Sequence, residues 1–343
     1  MKTNDFDDLL DQFVVEFKQR LQDPDRQPVD FYDYSVKWFE TYKKCKEYNT
    51  RVMYDNIINT HFQRYFHNMD VRQLDLYNCQ GLINENIDHP RTCQLLALTL
   101  KQVLKSAVRD GLFSSSAYEK IFSGLSLPKK KKPQKRPLTD IERKAVFEAD
   151  LSPMKHTFLY LLYYTGIRKG EALALRPDDF DFENGSVLIT KTLIFTSFSD
   201  SELKFSPKSE NGFREIPLPE ECISLIRPYI SSCDGFLFRG QGAVLANRSF
   251  YRRFWESILT GLNIAAGYNP WKKGQVKPIQ GLTAHIFRHD YCTQLCYQVP
   301  DISTKMIAQL MGDSEKMVLD VYSHLMLEKE KVLSSITNAR KHS

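Results

Sequence analysis

Long apolar runs, paired cysteines and phosphate-cradling glycine loops are all missing from this chain of 343 residues. No stretch reaches the roughly 18 uncharged apolar residues that a membrane-spanning helix needs. The start, Met1 to Asp8, is acidic and has no apolar core of a secretory signal, so a cytoplasmic location is expected. The seven cysteines are odd in number and scattered, with no Cys-x-x-Cys pair. Neither a disulfide framework nor a zinc site is therefore expected. Cys292 and Cys296, one helical turn apart, read as small buried apolar residues. With no Gly-rich loop and no acidic metal cluster, no cofactor and no metal are expected.

Apolar residues make up 42% of the chain, ordinary for a globular protein, and the length suffices for two domains. The net charge of +5 is mild but unevenly spread. Residues 1–30 hold four basic and eight acidic side chains, so the rest of the chain carries +9. A basic body behind an acidic head suits a polyanionic partner.

Residues 1–28 repeat Leu9, Leu10, Phe13, Val14, Phe17 and Leu21 at helical spacing, which predicts an amphipathic helix. From 29 to 125 the pattern stays helical. One helix carries Phe31, Tyr34, Trp38, Phe39 and Tyr42. A second is expected from Thr50, as N-cap, through Phe62. A third starts after His89-Pro90 and stops at Asp110-Gly111. Lys43, Lys44, Arg51, Lys101 and Lys105 are candidate phosphate contacts, with a merely solvated helix face as the competing reading. Residues 126–137 then place Lys129, Lys130, Lys131, Lys132, Lys135 and Arg136 among three prolines. Proline disfavours regular structure and like charges repel. An extended basic linker that crosses a phosphate backbone is expected, with a plain tether as the alternative.

Residues 138–343 form the second domain in this reading. Thr139-Asp140-Ile141-Glu142 is a capping box that opens it. An apolar helical run from Phe158 to Tyr164 is broken by Thr165-Gly166, which puts Arg168 at the start of the next helix. A β region follows, with Ser186 to Thr190, Leu193 to Phe195, and a stretch from Lys204 to Leu218. In that stretch Asn211-Gly212 is a hairpin signal beside Lys208. The loop from Asn269 to Pro278 is rich in Lys, Gly and Pro and should be exposed. Thr283 suits a helix N-cap, and on that helix His285 and Arg288, three apart, share a face. Tyr322 lies in another helical pattern, with Val318, Leu325 and Met326 on its side. Leu325, Val332, Leu333 and Ile336 then give a last helix an apolar stripe. Taken residue by residue, the chain offers a cationic pair and a tyrosine on packed helices.

Three segments in order carry a resemblance. They are Thr165-Gly166-Ile167-Arg168-x-x-Glu171-Ala172-Leu173, then His285-x-x-Arg288-His289, then Tyr322-Ser323-His324. Together they resemble the motif set of the tyrosine recombinase (phage integrase) family, over about Leu138 to Leu325. Residues 29–125 resemble, more weakly, that family's helical core-DNA-binding domain. The resemblance implies a fold that is mainly α with a small β region: a core-binding domain followed by a mixed α/β catalytic domain with a C-terminal helix and tail. It implies a site-specific DNA recombinase that cleaves and rejoins DNA through a 3′-phosphotyrosyl intermediate, to integrate and excise a mobile element. A chromosome- or plasmid-dimer resolvase of the same chemistry, or a non-catalytic DNA-binding relative, are the alternatives. The implied partners are double-stranded recombination sites, further copies of the chain in a tetramer on DNA, and accessory DNA-bending or excision factors, with no membrane.

By the same resemblance, Tyr322 is the nucleophile and Arg168 and Arg288 clamp the scissile phosphate. His285 accepts the tyrosine proton, and Lys208 protonates the departing 5′ oxygen. His289 and His324 have supporting roles, and Glu171 is a structural partner of the Arg168 segment. Residues 328–343 are expected to dock on the next subunit, with packing on their own domain as the alternative. One position departs from the family, which usually has Gly-His or Gly-Trp where this chain has Gly312-Asp313. An ionised carboxylate cannot donate to a phosphate oxygen and would repel it. Asp313 is therefore expected to point away from the phosphate, to orient a neighbour, or to lower activity.

Overall fold

The computed structural model describes residues 27–129, 136–205, 213–323 and 325–326. The expected amphipathic helix over 1–28, the basic residues Lys130, Lys131, Lys132 and Lys135, Lys208 with Asn211-Gly212, His324, and the segment 328–343 lie wholly or almost wholly outside the described residues. Within its Lys-rich segment the chain divides into two compact units.

The first unit is built of helices. α1 (Phe31–Tyr42) is started by Asp30, whose carboxylate accepts the Asp33 N–H at 2.9 Å. It buries Phe31, Trp38 and Phe39. α2 (Tyr48–Asn56) runs through a π-turn (Ile57–Phe62) into α3 (Gln63–Phe66). This helix begins two residues before Thr50. The Glu47 carbonyl accepts both the Thr50 and Arg51 N–H groups, at 2.9 and 3.0 Å, so Thr50 lies inside the first turn and does not cap it. α4 (Leu76–Asn84) opens with a reciprocal cap between Asp75 and Asn78. α5 (Pro90–Arg109) begins on the proline, which needs no N–H partner there, and ends at Asp110. Gly111 at φ +72° then turns the chain away. Cys93, Leu96, Leu100, Val103, Leu104 and Ala107 bury one face of α5. α6 (Ser115–Gly124) closes the unit behind its Ser114 cap.

The second unit opens as its sequence dictates. Thr139 Oγ accepts the Glu142 N–H and Glu142 accepts the Thr139 N–H at 2.8 Å, which starts α7 (Asp140–Glu148). α8 (Pro153–Thr165) buries Phe158, Leu159, Leu161 and Leu162 and is stopped by Gly166 in the left-handed region at φ +58°. α9 (Lys169–Leu173) follows at once. The strands are β1 (Phe180–Asp181), β2 (Ser186–Ile189), β3 (Thr192–Phe195), β4 (Ser201–Lys204) and β5 (Arg214–Pro217). β2 pairs antiparallel with both β1 and β5, with Val187 opposite Ile216. β3 and β4 form a separate two-stranded sheet, with Phe195 opposite Ser201.

Asn211-Gly212 itself lies outside the described residues. The strands on either side of that dipeptide, β4 and β5, belong to different sheets. Burial decides it. Val187, Ile189, Arg214 and Ile216 alternate into the interior, so β5 must lie beside β2 for its inward face to be covered. β4 instead returns along β3 through a local turn held by Ser197 and Asp200.

α10 (Glu220–Ile230), α11 (Arg248–Ala265), α12 (Ala284–Cys296) and α13 (Thr304–Met311) complete the unit, followed by a helical stretch over 315–323. Thr283 is the residue before α12, but its side chain makes no capping hydrogen bond. One core joins α7 to α12, centred on Phe158, Phe238, Ile258 and Phe287. A smaller cluster of Cys292, Cys296, Ile307, Ala308, Met311 and Val318 receives Tyr322 and Leu325 against its side. No described helix is long and apolar enough to cross a membrane.

Candidate active site

The site grows from two helix ends. Gly166 ends α8 and Gly312 ends α13, both with positive φ, and each leaves carbonyls of the last turn unpaired within the helix. Arginine donors take these carbonyls. Arg288 Nη1 donates to Gly166 O at 2.9 Å, and its Nη2 donates to Met311 O. Arg168 Nη2 donates to Gly312 O at 2.7 Å. The negative ends of two helices thus fix two guanidinium groups. Neither glycine tolerates a side chain. A Cβ on Gly166 would lie 2.5 Å from the Tyr291 ring, and one on Gly312 would lie 2.5 Å from Arg214 Nη1.

Glu171 is the second organiser. It accepts the Arg168 backbone N–H at 2.8 Å and Arg168 Nη1 at 3.0 Å. It also accepts Arg214 Nη2 at 2.7 Å, while Arg214 Nε donates to Leu310 O at 2.8 Å. Glu171 and Arg214 are both buried. Burial pushes the Glu171 carboxyl up, but the hydrogen bond and charge of Arg214, with help from Arg168, outweigh it and hold it below the ordinary glutamate value. Glu171 therefore stays ionised, and one carboxylate ties α9 to β5 and, through Arg214, to α13.

Asp313 completes the cluster. Its Oδ2 accepts from Arg288 Nη2 at 3.0 Å and from Arg168 Nη2 at 3.2 Å. The carboxylate is therefore turned toward the two arginines and not away from them, as one of the expectations had it, because their paired positive charges attract it. Burial would raise its pKa, but the hydrogen bond from Arg288 and the two positive charges outweigh that and hold it below the ordinary range. Arg288 has only 2% of its side chain exposed, whereas Arg168 keeps 40%. Burial pushes the Arg288 guanidinium down, as does the neighbouring Arg168 charge, and Asp313 opposes both.

Residues far apart in sequence are thus brought together: Arg168, Arg288, Asp313, Glu171 and Arg214. His285 stands exposed on α12, with its ring 4.5 Å from that of buried His289, centroid to centroid. Tyr322 lies half-buried on the stretch 315–323, packed on the cluster around Met311 and Cys292. Cys292 and Cys296 are buried there. Lys208 and His324 lie outside the described residues.

Two residues of this region had no role in the motif reading. Arg214 was visible only as part of the expected β stretch from Lys204 to Leu218. Its inward register opposite Ile189, in a strand that otherwise buries Ile216, would mark it as a paired charge. Asp290 is the other. It accepts the Leu138 N–H at 3.1 Å and Arg143 Nη2 at 2.5 Å, which fixes α12 against the start of the domain. Its neighbour His289 was the only signal.

The phosphate-contact candidates divide by what already holds them. Arg136 gives both ends of its fork to Glu142, at 2.6 and 2.7 Å, so it serves the α7 cap. Lys43 lies over the rings of Trp38 and Tyr54, at 5.0 and 4.8 Å. Lys44 pairs with Glu40, Arg51 stacks on Tyr48, and Lys101 lies over Phe122. Lys105 and Lys129 are exposed.

Residues 138–329 match the model of the phage integrase family, and residues 30–86 match that of the phage integrase N-terminal SAM-like domain. A tyrosine recombinase XerC-like protein of Caldanaerobacter subterraneus subsp. tengcongensis is 20% identical, over 87% of this chain and 81% of its own length. The ICEBs1 integrase of Bacillus subtilis is 23% identical, over 81% of this chain and 74% of its own. Among solved structures, the Tn1549 transposon integrase in complex with a circular intermediate DNA has a TM-score of 0.69 at 18% identity, over 87% of this chain and 99% of that one. A lambda integrase tetramer bound to a Holliday junction gives 0.62 at 15% identity, over 86% and 78%. The chain belongs to the phage integrase family and is a tyrosine site-specific recombinase.

Proposed function

We propose that this enzyme integrates and excises a mobile DNA element, in the cytoplasm, through a covalent 3′-phosphotyrosyl intermediate. The observation that carries the chemistry is the convergence of Arg168 and Arg288, from separate helices, on one anionic oxygen. Guanidinium forks suit the non-bridging oxygens of a phosphodiester, since they donate in pairs and stay charged. Tyr322 attacks phosphorus and His285 takes its proton. The P–O5′ bond breaks, and Lys208 supplies a proton to the leaving 5′ oxygen. His289 and His324 support these groups. The ester retains the bond's energy, so a second 5′ hydroxyl can reverse the step without ATP. The similarity to integrases of an integrative element and a transposon favours mobile DNA as substrate. Two duplex sites and four copies of the chain form the working assembly in this reading, as in the lambda integrase tetramer, with accessory DNA-bending or excision factors as further partners. Similarity to a XerC-like relative supports a second reading, a dimer resolvase with the same chemistry and another substrate.

A nicked suicide duplex carrying the element's end tests the proposal. An adduct stable in denaturant, with the DNA on the Tyr322 peptide, is expected. A protein that binds the duplex and never forms the adduct is a DNA-binding relative only.

The basic linker gives a separate expected result. Changing Lys129 to Lys132 to alanine removes up to four phosphate contacts, each contributing about 0.9 to the slope of log affinity against log salt. Weaker binding at every sequence and a flatter slope are expected in a salt titration. An unchanged slope would leave the segment as a tether.

A further inference from the structure

On the footing of the recombinase reading above, the role of Asp313 turns on which donors of the arginine pair are already taken. Each terminal guanidinium nitrogen has two hydrogens. On Arg288, Nη2 uses both, one on Met311 O and one on Asp313 Oδ2, and Nη1 uses one on Gly166 O. Among the described residues, its buried Nε has no partner. On Arg168, Nη2 likewise uses both, on Gly312 O and Asp313 Oδ2, and Nη1 uses one on Glu171. With Asp313 in place, neither Nη2 has a hydrogen left for a phosphate. The donor that each gives to Asp313 is the one not bound to main chain.

One oxygen accepting from two guanidinium groups at 3.0 and 3.2 Å is the arrangement a non-bridging phosphate oxygen would take. We propose that Asp313 is an internal anion that occupies the phosphate position of the Arg168–Arg288 pair and is exchanged for the scissile phosphate when DNA binds. The exchange needs the Asp313 carboxylate to turn away from the pair. The main-chain carbonyls of Gly166, Met311 and Gly312 keep both guanidinium planes fixed. The Asp313 carboxylate, with 24% of its side chain exposed, can rotate outward about its own χ1. Before DNA arrives, the carboxylate balances the buried Arg288 charge. It also screens the pair from stray anions. A diester must therefore compete with a tethered carboxylate, and contacts elsewhere on the duplex must favour the exchange.

The test compares full-length wild type with Asp313→Asn and Asp313→Ser. Asparagine keeps the size and can still accept the Ser314 N–H that Asp313 Oδ1 takes at 3.1 Å, but it carries no charge. Calorimetric titration with inorganic phosphate should show at least about tenfold tighter binding to both variants than to wild type, because one competing unit charge is gone. Adding Arg168→Gln to Asp313→Asn should remove that gain. At limiting nicked duplex, both Asp313 variants should form adduct faster than wild type. Melting curves with and without phosphate check folding, and phosphate should stabilise the variants more than the wild type. Equal phosphate affinity in wild type and in a folded variant overturns the exchange, as does slower adduct formation by both variants. If wild type forms no adduct but the phosphate gain stands, the recombinase reading fails and the anion site survives.

Discussion

Replacing Tyr322 with phenylalanine is expected to abolish covalent attachment to a nicked duplex and leave duplex binding unchanged. The phenol oxygen is the only atom removed. The ring that packs beside Met311, Val318 and Cys292 remains, so the 315–323 stretch keeps its seat. Without a nucleophile, the arginine pair can still hold a phosphate but no P–O bond to the protein can form. The loss should therefore reach the assay's background, larger than the roughly 10²–10³ lost with one stabilising donor. Denaturing gels of trapped complexes read the adduct, and band shifts read the binding. A surviving adduct in this variant would mean that another side chain attacks.

Glu171→Ala should produce the largest loss of stability. Arg214 has 5% of its side chain exposed and Glu171 has 8%, and the pair is joined at 2.7 Å. Removing the carboxylate breaks a buried ion pair from one side, a change that costs about 3–5 kcal/mol. Thermal or denaturant unfolding measures it, and a loss under about 1 kcal/mol would show that the pair is not a structural tie. The pH dependence has a definite sign. The Glu171 carboxyl is held below its unfolded value, so its contribution is complete above the ordinary glutamate range. It is lost as pH falls through the depressed folded value. Wild type should lose this increment in acid, and Glu171→Ala should lack it at every pH. Recombination should fall as well, because Glu171 also positions Arg168 through its backbone and its side chain.

Local chemistry was legible without a structure. The stop of α8 at Gly166, the Thr139–Glu142 cap, and the proline start and Gly111 end of α5 each depend on residues within one or two turns. Such signals are complete in a short window, because the groups that satisfy the backbone are neighbours in the chain. The start of α2 shows the limit, since Thr50 had the right side chain and Glu47 opened the helix. The candidate catalytic residues were likewise visible as ordered motifs, by resemblance.

What required the tertiary structure was every relation across long separation. The pairing of β5 with β2, and not with β4, followed from which strand faces the core must cover. Arg214 gained a role only once its strand placed it beside Glu171. Asp313 was an anomaly in the sequence, a negative charge where the family carries a donor. Its meaning depends on Arg168 and Arg288, which lie 145 and 25 residues away along the chain. The sequence determined that these charges exist. Only the fold brings the ends of α8 and α13 together, because the apolar faces of the helices must be buried and the charges are carried with them.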